Sequence, residues 1–494
     1  MKTTAIALLA LLFTLRPAAR ADDALWLPGM FADNMVLQRE MPVPVWGRTE
    51  PGAPVSVTLY DGEQKLSGAE SVADGETGRW RVDLPALTAG EGRRLVVESG
   101  NLSRTFENVM VGEVWIVCGQ SNMGWNVGKS AEKQDANAHR SEYPMIRFIN
   151  ASRGGQTHEI TEPQEDVGGG KWSSTATNVA SPSAVGYFFA RDLARWFEGK
   201  VPVGIISVVA ILPVQSWVDE PELESSPELA KLKGKPFPSA TSRSFKANIA
   251  PLAPYAVRGV VYYQGEMNSG NGPLYFHGLK ALMASWRRVW NRPEMPFLVV
   301  QLPAFISHQR GKSELDMDAA SLAEFDGKNQ NHGFIPVREA QLRVSREDPH
   351  VGLAVTLELG EKFDIHPPRK RAVGERLALQ ARKLVYGDAE VVADSPVPRD
   401  FRRDGDAFLV AFDGVGGGLE ARGDLVGFEV ADAAGAWHPA EAVIRGDTLA
   451  VRAANVPEPA GVRYAWLGFP EVTLFNKEGL PASPFQFPPS ENFR

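Results

Sequence analysis

Between Val109 and Tyr386 short apolar runs alternate with longer amphipathic stretches. In order they read VWIVC, SAVGYFFARDLARWF, VPVGIISVV, GLKALMASWRRVW, MPFLVVQL and KRAVGERLALQARKLVYG. Strand-like and helix-like patterns in alternation leave little choice of architecture. They predict a parallel sheet with helices on both faces, an α/β fold. The texture differs on either side. Leu25 to Phe106 carries PVSVTLY, RWRVDL and RRLVVES between Asp-Gly and Glu-Gly turns, which reads as a β-sandwich. Beyond Tyr386, FLVAF, LVGFEVAD, HPAEAVIRGDTLAVRA and VRYAWLG return to short strands. The polar, weakly periodic segment Phe305 to Gly333 reads as a long loop.

The start of the chain has a different character. Lys2, the apolar stretch Ala5 to Leu15 and the small residues Ala19-Arg20-Ala21 form the pattern of a cleaved secretory signal. The expected layout is therefore a signal peptide over 1–21, an N-terminal β-sandwich over 22–108, an α/β domain over 109–386 and a C-terminal β module over 387–494. Such a protein is secreted or periplasmic and leaves the membrane once the signal is removed. Val201 to Val214 is too short, and too broken by Pro202, Gly204 and Pro213, for a membrane span. A net charge of −8, without a basic stripe, argues against nucleic acid as a partner. The single cysteine, Cys118, cannot form an internal disulfide and reads as a small core residue.

An open parallel sheet binds ligands outside the carboxyl ends of its strands. Ser121 lies just past the Val114 to Val117 run, behind Gly119, where it can serve as a nucleophile or cap the following helix. His366 is the best placed of eight histidines to act as its base. Asp364, two residues earlier, can fix the imidazole tautomer. A third polar group follows the VVYY run: Gln264, Gly265, Glu266 and Asn268. The amides Gln264 and Asn268 suit an oxyanion site because they donate without titrating. Glu266 raises glycoside hydrolysis as a rival, but no second carboxylate accompanies it. Asp364 and His366 have no partner cluster at metal-ligand spacing, so no metal is expected.

GQSNM at Gly119 to Met123, YQGEMN at Tyr263 to Asn268 and DIHP at Asp364 to Pro367, in that order, resemble the sialate O-acetylesterase family of SGNH-type carbohydrate esterases. PGMFADNMVLQRE, SAVGYFFAR, VREAQL, VRYAW and GLPASPF extend the resemblance over most of the chain. The resemblance implies a flavodoxin-like catalytic domain with β-sandwich companions, hydrolysing acetyl esters on sugars without a cofactor. It implies Ser121 as nucleophile, His366 as base and Asp364 as its orienting acid. Gln264 and Asn268 would line the site, the Ser121 N–H would sit in the oxyanion hole, and Gln120 and Glu266 would join the substrate-binding set. One segment departs from the pattern. Where the family has a Trp-Gly-Gly-Thr-type turn, this chain has VVAILPVQSW, and Ala210 and Ile211 stand at the glycine positions. That departure keeps a second reading open, a glycan-binding module with a decayed esterase site. The residues do not separate sialic acid from a plant polysaccharide as the acetylated sugar.

Overall fold

The structure is a computed structural model that describes residues 24–154, 160–233, 241–307 and 319–490. The expected signal peptide at 1–21 lies outside the described residues. Six strands form the parallel core, numbered here in chain order: β1 Leu102–Gly119, β2 Ile146–Asn150, β3 Val203–Val209, β4 Gly259–Tyr263, β5 Phe297–Val300 and β6 Val351–Ala354. Across the sheet their order is β6-β5-β4-β1-β3-β2, and each neighbouring pair is parallel.

The strands are apolar on both sides because both sides are covered. Side chains alternate across a strand, and the longer helices use that alternation. These helices are α1 Ala184–Trp196, α2 Gly272–Val289, α3 Ala319–Gln330, α4 Phe334–Glu347 and α5 Arg371–Leu384. Trp115 meets Phe189 of α1 edge to face, with ring centroids 5.1 Å apart. On the opposite face Tyr262 meets Trp217, and Phe297 meets Trp286 of α2. α1 packs on α5, and α2 on α4. Cys118 is fully buried within this core, as expected.

Three features differ from the sequence reading. β2, β6 and α4 join the expected alternation of strands and helices. α3 occupies part of the segment read as a loop, because AASLAEFDGKNQ has the composition of a helix but no clear apolar stripe. Finally, β1 is one strand of 18 residues that runs through positions 108 and 109. Its first half pairs antiparallel with Gly90–Ser99, which continues to Pro54–Asp61 and Gln64–Val72. Its second half is the centre of the parallel sheet. Val43–Arg48 and Arg79–Leu84 pair separately. Among the described residues beyond Val397, the pairings are all antiparallel, in two four-stranded sheets and one two-stranded sheet. Among the described residues, no helix is long and apolar enough to cross a membrane.

Candidate active site

From β1 the chain moves out to β2, returns through β3 to lie beside β1, then crosses to β4 on β1's other side. The sheet changes direction at β1, so the loops leaving β1, β3 and β4 open beside one another. Gly119 ends β1 with φ of 144°. A Cβ there would stand 2.0 Å from the Tyr263 carbonyl oxygen, so only glycine permits this turn. The Gln120 N–H donates to that same carbonyl at 3.2 Å. One residue later Ser121 Oγ lies 2.8 Å from His366 Nε2. His366 comes from the loop between β6 and α5, 245 residues further along the chain. Asp364 Oδ1 accepts the His366 backbone N–H at 2.9 Å and lies 3.7 Å from Nδ1. Trp125 stacks on the imidazole, with centroids 5.2 Å apart and planes 16° apart. The three residues expected to act together are therefore together. His366 keeps 20% of its side-chain surface exposed, so the pair is open to a substrate.

The amides form the floor. Gln264 Nε2 lies within hydrogen-bond reach of Gln120 Oε1, Asn268 Oδ1 and the Leu212 carbonyl, at 3.2, 3.0 and 3.4 Å. Gln120 Oε1 also accepts the Met267 N–H, and Asn268 Oδ1 accepts the Val214 N–H. Gln264 and Gln120 therefore tie the three strand-end loops together, and the Gln264 amide hydrogens point at protein acceptors. Asn268 Nδ2 donates to Gln215. The Ala210 N–H donates to the Gly119 carbonyl at 2.9 Å, so its donor is committed to the β1 turn rather than the oxyanion position. Ile211 follows and is 61% exposed. Glu266 faces inward: it is buried, and Oε1 accepts from Asn122 at 2.7 Å. Burial raises its pKa, partly offset by the Asn122 hydrogen bond. A carboxylate so placed does not flank a bond in an open cleft, which removes the support for glycoside hydrolysis.

Sequence reasoning passed over Asn122, Trp125 and Lys370. Asn122 and Trp125 lie inside or beside the GQSNM motif, which was the available signal. Lys370 stands in PPRKRAV, where it reads as one more surface charge. It is instead fully buried, and its Nζ donates to Asn122 Oδ1 at 2.7 Å. Burial pulls its ammonium down to about 7, against the opposing effect of Glu266, Glu132 and Asp364.

With this geometry in view, residues 111–366 match a family model described as carbohydrate esterase, sialic acid-specific acetylesterase. The chain belongs to this family. It is an ester hydrolase. The matched span begins in β1 and ends on His366, so it encloses the whole Ser121–His366 arrangement. A carbohydrate acetylesterase from Xanthomonas citri has a similar structure, with a TM-score of 0.79 and 32% identity, covering 94% of this chain and 99% of that one. The sialate O-acetylesterase of Homo sapiens is 27% identical over 399 residues, covering 74% of this chain and 72% of the relative. That of Rattus norvegicus is 26% identical over 433 residues, covering 75% of each.

Proposed function

We propose that the protein is a secreted serine esterase that removes O-acetyl groups from carbohydrates, with an SGNH-type α/β domain between two β modules. The observation that carries the reading is the 2.8 Å contact between Ser121 Oγ and His366 Nε2 at the switch point of a parallel sheet. His366 takes the Ser121 proton as Oγ attacks the acetyl carbonyl. The oxyanion forms beside the Ser121 N–H, with the Asn268 amide and the Ile211 N–H as further donors. Collapse breaks the bond to the sugar oxygen, which takes the proton from His366 and leaves as a hydroxyl. Water, activated by the same imidazole, then releases acetate and restores the serine.

Asp364 orients the base chiefly through the backbone: its carboxylate holds the His366 N–H, and the nearby negative charge favours the imidazolium that forms. Trp125 fixes the plane of the ring. The same serine–histidine contact counts against a decayed, purely glycan-binding module. Substrates of the named relatives support O-acetylated sialic acid or another acetylated saccharide as the substrate class.

The test is hydrolysis of an aryl acetate with a pre-steady-state burst, followed on acetylated sialosides and acetylated xylo-oligosaccharides. Ser121→Ala should abolish the burst and lower kcat by at least about a thousandfold while leaving the fold intact. Turnover near the wild-type rate in that variant would rule out the serine mechanism.

A further inference from the structure

We propose that Lys370 is a positioning residue, which sets the distance between Ser121 and His366 through the side chain of Asn122. The inference rests on the reading of Ser121 and His366 as nucleophile and base. Asn122 follows Ser121 in the chain, and Ile365 precedes His366. One carboxamide joins the two: Asn122 Nδ2 donates to the Ile365 carbonyl at 2.9 Å and to Glu266 Oε1 at 2.7 Å. Both amide hydrogens are then used. Its Oδ1 accepts from Lys370 Nζ at 2.7 Å.

This arrangement admits one orientation of the amide. The Ile365 carbonyl and the Glu266 carboxylate only accept, and the Lys370 ammonium only donates. A flipped Asn122 would face oxygen with oxygen and N–H with N–H. Asn122 is 1% exposed, so no solvent is at hand to replace a lost partner. With its orientation fixed at both ends, the amide acts as a short strut between the nucleophile turn and the histidine loop.

The place of Lys370 is not explained by its own helix. It is the N-cap residue of α5, where a cation opposes the helix dipole. It is fully buried, which disfavours an ammonium. What the position offers is the Asn122 oxygen, the Glu266 charge beyond it, and the Tyr263 ring, whose centroid lies 5.3 Å from Nζ. Tyr263 is also the residue whose carbonyl holds the Gln120 N–H beside Ser121. The lysine therefore bears on both supports of the nucleophile turn. Glu266 Oε2 has no hydrogen-bond partner among the described residues, so Asn122 holds this carboxylate through one oxygen.

The experiment is a double-mutant cycle on full-length enzyme, read in kcat, KM and melting temperature with an aryl acetate. Lys370→Met should lower kcat about ten- to a hundredfold with KM changed less than about twofold, because binding survives while the reacting pair is misplaced. Asn122→Ala should show a loss of similar size. The combined variant should be no worse than Asn122→Ala alone, since both act through one strut. A merely structural lysine would lower the melting temperature without this kcat-specific, non-additive loss. Should Lys370→Met not fold, Glu266→Gln with Lys370→Met removes both buried charges and should fold, yet keep the kcat deficit. Wild-type kcat in either lysine variant, or losses that multiply in the combined variant, would overturn the proposal. Ser121→Ala separates the two readings. If it is inactive while the lysine variants turn over at the wild-type rate, only the positioning role fails. If it is active, the nucleophile assignment fails first.

Discussion

Ile211 is a branched apolar residue left 61% exposed at the carboxyl end of β3. Its neighbours are both fixed to the site: the Ala210 N–H to the β1 turn, and the Leu212 carbonyl to Gln264. On the proposed reading, an apolar group on that rim would take volume from a longer acyl chain. Acetyl should be favoured over butyryl by about ten- to a hundredfold in kcat/KM, and Ile211→Gly should narrow the ratio. The measurement is aryl acetate against aryl butyrate in both proteins, and an unchanged ratio would place Ile211 away from the acyl group. At this scale the sequence showed much of the site. Ser121, Asp364 and His366 stood out because each sits in a short motif next to a glycine or proline that shapes its loop. Lys370 did not, since a lysine between two arginines looks solvated. Only the fold reveals that the residue capping α5 reaches Asn122, next to Ser121.

Among the elements, β1 carries the most consequence per residue. Its last residue, Gly119, combines a φ of 144° with a Tyr263 oxygen that a Cβ would overlap. Gly119→Ala should therefore push β1 away from β4 and move Ser121 with it. The expected result is a loss of about 2–4 kcal/mol in urea unfolding, together with a larger fall in kcat than in KM. A variant with unchanged stability and kcat would mean the turn is not held as tightly as the contact implies. Strands and helices with long, clean patterns were legible beforehand, among them the second half of β1, β3, α1, α2 and α5. β2 and β6 were not, because Arg147 and Asn150 break up IRFIN and Gly352 breaks up VGLA, whereas β4 and β5 are no longer but carry the unbroken apolar runs VVYY and FLVV. α3 was missed for the opposite reason: its helix-forming composition lacks a continuous apolar stripe, and Phe325 is its notable buried side chain.

At the scale of the whole molecule, the composition change near residue 108 marked a change of partners within β1 rather than an end to the strand. Beside that continuous strand and the shared apolar core, the regions are joined by buried charged groups that no periodicity signals. Arg338 of α4 donates to the carbonyls of Leu302, Pro303, Leu467 and Gly468, so one side chain links the region behind the site to the C-terminal strands. Glu113, in β1, does the same at the other end. Its carboxylate is fully buried and pairs with Arg39 at 2.6 Å and Arg258 at 2.7 Å, and it also accepts from Gln38. Burial pushes its pKa up, but the hydrogen bonds and charges of Arg258 and Arg39 outweigh that, leaving it below the usual range. A carboxylate whose folded pKa is depressed contributes stability above its unfolded pKa, near 4.3, and loses it as pH falls through the folded value. Glu113→Gln should therefore cost about 3–5 kcal/mol at pH 7, because two largely buried guanidiniums lose their counter-charge. Below about pH 4.3 the carboxylate of the unfolded chain takes up protons, so the gap between the two proteins should begin to close there and go on closing as pH falls through the lower folded value. Urea unfolding at pH 7 and at successive lower values measures it. A gap that stays constant down to pH 2.5 would show that the Arg39–Glu113–Arg258 pairing contributes packing alone, and that the N-terminal strands are held to the parallel sheet by other means.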